Sequence, residues 1–295
     1  MRTIQGKKAL VTGAAAGIGR ALALGLAREG AAVYLLDRNE AGLAAVAHEV
    51  RSRGCEARTA ICDVSRGEQI SGAVETLLHR WGELDILVNN VGVAYYGPTL
   101  TMPAEQWERL LAINLHAPIQ FTRELLPTLA TRPEAHIVNV SSICGLISGG
   151  RFLAYHVTKF GLVGFSEGLR LEFARQGVGV TTLCPGPVLT DLYASAPCGH
   201  VGRQTPTPPR WLSTTPERCA AKAIRAIYHN RGLVLVTPLA YLLYYLRRFA
   251  PGLLDLVARF EYRKARKKKA ALDEPRILPF PTRDLPDVAP IRRAA

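Results

Sequence analysis

Segments typical of β-strands alternate with segments typical of α-helices along most of this chain of 295 residues. The strand-like segments are short and apolar, and the stretches between them have the spacing of buried or amphipathic helices. Such alternation predicts a parallel sheet with helices on both faces, because successive parallel strands need a crossover connection. We expect about seven strands, near residues 8–12, 32–37, 57–62, 84–89, 135–141, 178–183 and 233–237.

Polar residues and glycines directly follow several of these strand-like segments. A doubly wound α/β sheet of the Rossmann type binds its ligand in the crevice at the carboxyl ends of its strands. We therefore predict a ligand site at this edge, within one catalytic domain that covers residues 1–238. The residues expected at the edge are Thr12, Asp37, Asp63, Asn90, Ser142 and the segment that begins at Pro185.

A glycine-rich turn follows the first strand-like segment and opens an alanine-rich helix. Its glycines are Gly13, Gly17 and Gly19, a spacing different from the common Gly-x-Gly-x-x-Gly fingerprint. Such a turn lets backbone N–H groups and a helix N-terminus approach a pyrophosphate. The turn alone is weak evidence, but Asp37 ends the second strand eighteen residues after Gly19. A carboxylate there suits the ribose hydroxyls of a dinucleotide.

Tyr155 and Lys159 are four residues apart, and Ser142 precedes the tyrosine by thirteen residues. On a helix, residues i and i+4 project from one face, so the Lys159 ammonium is expected beside the phenol, where it favours the phenolate. Ser142 would hold a substrate oxygen while Tyr155 gives or takes its proton. The trio predicts a site that interconverts alcohols and carbonyls, with the hydride carried by a cofactor.

Each of these residues also has a plain structural interpretation. A Tyr-x-x-x-Lys pair is usually a solvated pairing on a helix, Ser142 suits a turn, and Asp37 suits the end of a strand. Asn114 suits a cap or a kink in a long helix. The joint spacing of the trio and the glycine turn favours catalysis over these alternatives.

The ordered motifs resemble those of the short-chain dehydrogenase/reductase family, over roughly residues 6–237. The glycine turn is similar to the family's cofactor turn, and Cys62-Asp63-Val64 is similar to its adenine-contacting segment. Asn89-Asn90-Val91-Gly92 resembles the Asn-Asn-Ala-Gly motif after the fourth strand, with valine in place of alanine. The segment from Pro185 to Thr190 resembles the one after the sixth strand.

This resemblance implies roles for particular residues. Asn114 would complete the catalytic group of Ser142, Tyr155 and Lys159 through a water near the lysine, which would also hold the nicotinamide ribose. Thr190 would hold the nicotinamide carboxamide. The implied cofactor-binding residues are Gly13, Gly17, Ile18, Gly19, Asp37, Arg38, Asp63, Val64, Asn90, Gly92, Tyr155, Lys159, Pro185, Gly186, Val188 and Thr190.

Two neighbouring residues bear on the choice between NAD and NADP. Asp37 would accept hydrogen bonds from the ribose hydroxyls and repel a 2′-phosphate, which favours NAD. Arg38 is able to pair with a 2′-phosphate, but Ala16 stands where a basic residue would help to bind NADP. We expect NAD as the cofactor, with some tolerance of NADP.

Apolar and aromatic residues follow the fourth, fifth and sixth strands, where the walls of a substrate site are expected. They favour a hydrophobic alcohol, ketone or aldehyde over a sugar, although several of them would equally suit the core. Residues 194–216 are rich in Pro, Gly, Ser and Thr, which is typical of a mobile lid. The residues expected to face the substrate are Ser142, Tyr95, Leu146, Phe152 and Tyr193.

The carboxyl-terminal region carries much of the basic charge. The formal net charge is +13, and residues 247–269 contain nine Lys or Arg against two Asp or Glu, which supplies +7. The uncharged stretch before them is too short to span a bilayer. We predict an amphipathic, basic helical extension over residues 239–272 and a disordered tail over 273–295. The extension suits an anionic membrane surface or packing against the pocket or a subunit partner.

Other classes of ligand are disfavoured. No nucleic acid is expected, because the aromatic residues are not interleaved with the basic cluster. Six Cys and seven His show neither the spacing of a metal site nor a disulfide framework, so no metal is expected. No apolar signal segment precedes the first strand, which predicts a cytoplasmic location.

A homo-oligomer, a dimer or a tetramer, is the expected assembly. Two alternatives to a cytoplasmic enzyme with a small hydrophobic substrate stay open. The first is a catalytically silent regulatory protein that keeps the cofactor fold, which the intact Ser142, Tyr155, Lys159 and Asn114 disfavour. The second is a reductase of lipid-derived carbonyls that works at a membrane surface.

Overall fold

The computed structural model describes residues 1–199 and 204–270, so the tail predicted over 273–295 and part of the predicted lid lie outside the described residues. One compact unit covers residues 1–249, and the described residues 250–270 belong to a second unit. The first unit holds a seven-stranded parallel sheet in the order β3-β2-β1-β4-β5-β6-β7. The predicted Rossmann-type fold is confirmed.

The strands are short and most are buried on both faces. Every residue of β4, β5 and β6 is buried, which explains their nearly continuous apolar sequences, since helices cover both sides of a parallel sheet. The bounds are β1 Lys8–Thr12, β2 Ala32–Asp37, β3 Ala57–Ile61, β4 Ile86–Asn89, β5 Ala135–Val140, β6 Val178–Cys184 and β7 Leu233–Leu235.

Helices cover the two faces of the sheet. One apolar core lies between the sheet and α1, α2 and α7, and the other lies between the sheet and α3, α5 and α6. The bounds are α1 Gly17–Arg28, α2 Glu40–Arg51, α3 Gly67–Trp81, α4 Ala104–Leu111, α5 Ala117–Ala130, α6 Leu153–Phe173, α7 Pro216–His229, α8 Pro238–Phe249 and α9 Pro251–Ala270.

A π-helical turn, Ala112–His116, joins α4 to α5. The helical run therefore continues from residue 104 to residue 130 with one turn that is wider than an α-helical turn. Such turns are rare and occur often at functional sites. This turn directs Asn114 into the interior, where its side chain is fully buried.

The order of the strands reverses at β1, which pairs with β2 on one side and with β4 on the other. Ligands of open α/β sheets bind at such a reversal, beside the carboxyl ends of the strands. Helix α8 belongs to the same compact unit as the sheet, and Ala240 of α8 is fully buried. Within residues 1–199 and 204–270, no helix is long and apolar enough to cross a membrane.

Candidate active site

A cleft of about 470 Å³ opens at the carboxyl ends of the central strands. It brings together residues from the glycine turn, the ends of β2, β4 and β5, the start of α6 and the segment after β6. The predicted site residues that line it are Gly13, Gly17, Ile18, Asp37, Asn90, Gly92, Ser142, Tyr155, Lys159, Pro185, Gly186, Val188, Thr190 and Tyr193.

The glycine turn forms one wall of the cleft. Gly13 and Gly17 have φ angles of 67° and 55°, values that favour glycine over residues with a Cβ atom. A Cβ atom on Gly19 would collide with the carbonyl of Gly13. Helix α1 begins at Gly17 without a side-chain cap, so its first N–H groups are available to an anion. The turn has the shape of a cradle for a diphosphate.

Hydrogen bonds between β1 and β4 hold this cradle in place. The Thr12 hydroxyl donates to the Val88 carbonyl at 3.2 Å and accepts from the Asn90 N–H at 2.9 Å. The Asn90 amide then donates to the Thr12 carbonyl at 3.0 Å. Asn90 therefore fixes the backbone of the glycine turn, in addition to lining the cleft.

Asp37 lies at the edge of the cleft with both carboxylate oxygens held by backbone donors. Oδ2 accepts from the Ala15 N–H at 3.1 Å, and Oδ1 accepts from the Asn39 N–H at 3.0 Å. These bonds fix the carboxylate beside the glycine turn, at the place where a ribose would follow a diphosphate.

Arg38, Asp63 and Val64 are not among the residues that line the cleft. Arg38 is exposed. Hydrogen bonds from the Ser65 backbone and hydroxyl are the main reason that the pKa of Asp63 is lowered, and the positive charge of Arg38 adds to the effect. Val64 is buried in the core.

Helix α6 carries Tyr155 and Lys159 in its first two turns. Both side chains are buried, with 8% and 2% of their surface exposed, and Lys159 Nζ lies 5.6 Å from the centroid of the tyrosine ring. Ser142 follows the end of β5 and accepts a hydrogen bond from the Cys144 N–H at 3.1 Å. The Ser142 hydroxyl therefore keeps its own proton available for donation.

Burial shifts the pKa values of both groups on α6. Burial lowers the pKa of Lys159 from 10.5 to about 8, and its Nζ donates to the Val140 carbonyl at 2.9 Å. Burial also raises the pKa of Tyr155 above its ordinary value, while the hydrogen bond with Ser142 acts in the opposite direction. In this structure the effect of burial on the pKa of Tyr155 outweighs the effect of the hydrogen bond with Ser142. The lowered pKa expected from the neighbouring Lys159 is therefore not found.

Asn114 lies next to the cleft but does not line it. Its Oδ1 accepts from the Val93 N–H at 2.8 Å, and its amide donates to the Val93 carbonyl at 2.9 Å and to the Thr158 hydroxyl at 3.1 Å. A Cβ atom on Gly92 would lie 3.4 Å from Lys159 Nζ and 3.6 Å from Asn114 Oδ1. Lys159 and Asn114 therefore converge on Gly92.

The residues predicted to face the substrate occupy different environments. Tyr193 lines the cleft, and burial raises its pKa to about 12. The Phe152 ring lies 6.3 Å from the Tyr155 ring, and Tyr95 is buried in the same apolar cluster as Tyr155. Leu146 packs in another cluster, against residues that include Ala240 of α8. Of these, only Ser142 and Tyr193 line the cleft among the described residues.

Several residues that line the cleft carry no motif in the sequence. They include Arg20, Ser195, Pro216 and Glu217. Thr215 caps α7 by accepting from the Arg218 N–H at 3.4 Å, and a threonine before proline and glutamate is a recognisable helix start. That pattern predicts where α7 begins, but it does not predict that this end faces the cleft. No three His, Cys, Asp or Glu side chains among the described residues group as metal ligands do.

The chain belongs to the short-chain dehydrogenase family, whose sequence model, described as short chain dehydrogenase, matches residues 7–198. The family predicted from the motifs is thereby confirmed. "Probable oxidoreductase EphD" of Mycobacterium tuberculosis is 36% identical over 260 residues. That match covers 84% of this chain but 44% of EphD, so this chain spans less than half the length of that relative.

Two solved structures extend the similarity. A short chain dehydrogenase/reductase from Burkholderia phymatum, in complex with NAD, has a TM-score of 0.76 and is 28% identical, over 86% of this chain and 97% of that one. A metagenomic short-chain oxidoreductase, in complex with NADP, has a TM-score of 0.67 and is 31% identical, over 79% of this chain and 98% of that one.

Proposed function

We propose that this protein is an NAD(P)-dependent oxidoreductase that interconverts a ketone and a secondary alcohol, or an aldehyde and a primary alcohol, on a hydrophobic substrate. The observation that carries the proposal is the buried pair of Tyr155 and Lys159, which shares one cleft with Ser142 and with the glycine turn. An acid–base group thus lies beside a diphosphate cradle.

The cleft residues fit a nicotinamide dinucleotide. The cradle of Gly13, Gly17 and Gly19 suits the pyrophosphate, and Asp37 suits the adenosine ribose hydroxyls. A Cβ atom on Gly17 would lie 3.2 Å from Thr190 Cγ2, so Thr190 stands across from the turn, and we assign to it the nicotinamide carboxamide. When bound, the nicotinamide supplies or accepts the hydride.

NAD is the favoured cofactor, with tolerance of NADP. The fixed carboxylate of Asp37 lines the cleft, where it would repel a 2′-phosphate. Arg38 does not line the cleft, but it directly follows Asp37 in the sequence. A small change in the conformation of the Arg38 side chain would allow it to pair with that phosphate.

Ser142, Tyr155 and Lys159 have different roles in the transfer of the proton. The Ser142 hydroxyl, with its oxygen already accepting from Cys144 N–H, donates to the carbonyl oxygen of the substrate. Tyr155 Oη then gives its proton to that oxygen during reduction and takes it back during oxidation. The Lys159 ammonium stabilises the phenolate left after reduction, and solvent, reached through Asn114 and a water, restores the proton.

The protonated phenol is the form that gives a proton during reduction, and burial, which raises the pKa of Tyr155, favours that form. The same group takes the proton back during oxidation, so its pKa does not set the direction of the reaction. The hydrophobic substrate class rests on Tyr193 and Leu192 in the cleft lining and on the aromatic cluster of Phe152 beside Tyr155.

A screen of ketones, aldehydes and alcohols, followed by nicotinamide absorbance, tests the proposal. Apolar carbonyl compounds of increasing length should be reduced with rising kcat/KM, because more apolar surface is buried with each methylene. Sugars should be poor substrates. Turnover of sugars alone would contradict the hydrophobic class, and cofactor binding without any turnover would favour the silent regulatory protein.

Tyr155→Phe removes the proton-transfer group and keeps the ring. Turnover should fall by roughly 10²–10⁴, the range of general acid–base catalysis, with cofactor binding retained. Tyr34→Phe is the matched control, because Tyr34 is also buried but lies in the core beside Trp81. Near-normal turnover of the Tyr155 variant would end the assignment.

We also propose that the carboxyl-terminal helices bind an anionic membrane surface. Helix α8 exposes Leu242 by 64%, Tyr245 by 51% and Phe249 by 78%, and its only charged residues are Arg247 and Arg248. Helix α9, considered by itself, exposes Leu256 and Phe260 and ends in a basic run. Apolar side chains flanked by basic ones suit the headgroup layer of anionic lipids.

Sedimentation with phosphatidylserine-containing vesicles tests this surface. The intact chain should bind at low salt and less at high salt, and the triple change Leu242→Ser, Tyr245→Ser and Phe249→Ser should abolish binding. Leu100→Ser removes another exposed leucine, at 76% exposure, and should leave binding unchanged. Absence of sedimentation of the intact chain at low salt would reject the membrane surface.

A homo-oligomer is proposed as the working assembly. Helix α6 exposes Leu153, Val157 and Leu171 in the single chain, and a second copy would cover such a face. Light scattering after size exclusion tests this, and a monomeric mass at micromolar concentration would contradict it.

A further inference from the structure

His156 follows Tyr155 on α6 and has no part in the proton chemistry described above. It is buried, with 5% of its surface exposed, and it is not among the residues that line the cleft. Its imidazole reaches the segment that follows β5. Nδ1 lies 2.9 Å from the Cys144 carbonyl oxygen, and the Gly149 N–H donates to Nε2 at 3.0 Å.

These two partners determine where the imidazole proton lies. A carbonyl oxygen only accepts, so Nδ1 must carry the proton, and a backbone N–H only donates, so Nε2 must offer a lone pair. The arrangement therefore requires a neutral imidazole with its proton on Nδ1, assigned from its hydrogen bonds. The imidazole ring therefore holds the backbone at Cys144 and at Gly149, which are five residues apart in the chain.

The first of these bonds leads to Ser142. The Cys144 carbonyl is held by His156, and the Cys144 N–H donates to Ser142 Oγ at 3.1 Å. Residue 144 is thus fixed on both sides. Because that N–H occupies a lone pair of Ser142 Oγ, it also sets the direction in which the serine proton points.

The second bond leads to the substrate side of the cleft. Gly149 stands two residues before Arg151, whose φ of 69° places it in the left-handed region. The Gly97 N–H donates to the Arg151 carbonyl at 2.9 Å, and Phe152 follows, with its ring 5.0 Å from that of Tyr96. The bond to Gly149 therefore holds the chain that brings Phe152 beside Tyr155.

We propose that His156 is a positioning residue with two separable effects. Its Nδ1 orients Ser142 through Cys144 and so supports turnover, and its Nε2 holds the segment from Gly149 to Phe152 and so supports substrate binding. The kinetic part of this proposal rests on the proposed oxidoreductase function, whereas the two hydrogen bonds are testable without it.

Three substitutions separate the two bonds. In His156→Asn the amide nitrogen takes the place of Nδ1 and keeps the bond to Cys144. In His156→Gln the amide oxygen reaches the place of Nε2 and keeps the bond to Gly149. His156→Leu keeps the apolar volume and loses both bonds.

Loss of one bond is expected to change mainly KM, and loss of the other is expected to change mainly kcat. His156→Asn should raise KM by about tenfold with kcat near that of the unchanged protein, and His156→Gln should lower kcat by about tenfold with KM nearly unchanged. His156→Leu should show both changes. The dissociation constant of NAD should stay the same throughout, since His156 does not line the cleft.

Amide hydrogen exchange provides the readout that needs no substrate. The Gly149 amide should be protected in the unchanged protein and in His156→Gln, and it should exchange faster in His156→Asn and His156→Leu. Nitrogen NMR of labelled histidine should show the proton on Nδ1. If His156→Leu does not fold, the Asn and Gln variants give the same comparison.

Two results would overturn the proposal. One is a Gly149 amide that exchanges equally fast in the unchanged protein and in His156→Asn. The other is the same decrease in kcat and the same increase in KM in the Asn and Gln variants, which would mean that the two bonds have no separate roles. If the unchanged protein reduces no carbonyl compound but shows the expected exchange pattern, the proposed function fails while the two hydrogen bonds stand.

Discussion

Buried charged side chains have different partners at the two ends of the sheet. At the amino ends of the strands, Asp85 is 1% exposed and accepts from the Lys8 N–H at 3.0 Å, Lys7 Nζ at 3.3 Å and Arg132 Nε at 2.9 Å. At the carboxyl ends, Lys159 is equally buried, but within the described part of the chain it has a carbonyl partner and no carboxylate within ion-pair distance.

This difference separates stability from function. The charged side chains at the amino end form one cluster of ion pairs. Asp85 pairs with Lys7 and Arg132, and Glu83 pairs with Lys8 and Arg132. At the carboxyl end, no carboxylate of the described residues pairs with the buried Lys159 cation, an arrangement that costs stability and is typical of sites reserved for a ligand or a reaction. Substitutions at the two ends should therefore act in opposite directions.

Asp85→Asn should produce the largest change in stability. Removing one partner from a buried ion pair costs about 3–5 kcal/mol, and the partial exposure of Lys7 and Arg132, 18% and 25%, places the expected loss near about 3 kcal/mol. Urea unfolding should show a lower midpoint with an unchanged slope. Glu75→Gln, at an exposed position, should change stability by less than about 0.5 kcal/mol. An equal loss in both variants would contradict the comparison.

Lys159→Met should act the other way and stabilise the fold while abolishing turnover. Each pKa unit corresponds to about 1.4 kcal/mol, and the lost bond to the Val140 carbonyl offsets part of that gain, since such a bond contributes about 1 kcal/mol. The pKa falls from 10.5 to about 8, so at pH 7 we expect a net gain of about 2.5 kcal/mol in the free energy of unfolding. A variant that is less stable than the unchanged protein at pH 7 would refute the claim that the buried charge of Lys159 costs stability.

The same substitution gives a pH test with a definite sign. Burial lowers the pKa of Lys159 from 10.5 to about 8, so between those values the folded chain binds fewer protons than the unfolded chain. Stability should therefore rise with pH across this window, and the full destabilisation should be present below about pH 8. In Lys159→Met this rise should be missing. Urea midpoints of both proteins at pH 7, 8, 9 and 10 would measure it.

Asp37→Ser should have the smallest effect on stability and a clear effect on cofactor choice. Asp37 accepts from two backbone N–H groups, but it is only half-buried, so water replaces part of what is lost and the expected cost is about 1–2 kcal/mol. Without the carboxylate, the ratio of the dissociation constants should move towards NADP. Asp85→Asn is the matched control and should leave that ratio unchanged. An unchanged protein that already binds NADP more tightly would contradict this interpretation of Asp37.

The alternation of strands and helices was sufficient to predict the sheet, but the ends of some strands depend on tertiary contacts. β4 begins at Ile86 and not near residue 84, although the Asp85 backbone already bonds to both neighbours, with its N–H donating to the Lys8 carbonyl at 3.0 Å and its carbonyl accepting from the His136 N–H at 2.8 Å. β7 ends at Leu235 and not near residue 237, because the Thr237 hydroxyl accepts from the Ala240 N–H at 3.2 Å and starts α8.

The site was predictable where spacing along one helix or strand determines it. Tyr155 and Lys159 share a face of α6, and the glycines follow β1 directly, so sequence distance predicts spatial distance. Tyr95 and Leu146 stand in irregular segments, where the direction of a side chain depends on the surrounding loops, and neither lines the cleft. The roles assigned to the cleft residues stay predictions until the substitutions are made.

The π-helical turn at Ala112–His116 has a consequence for how this chain tolerates change. An α-helical residue advances by about 100° around the axis, and the wider π turn accommodates one extra residue between α4 and α5. Deleting one residue there would therefore restore a uniform helix with both halves in their present phase. The fold should survive this deletion, but Asn114 would lose the position in which it bonds to Val93 and Thr158.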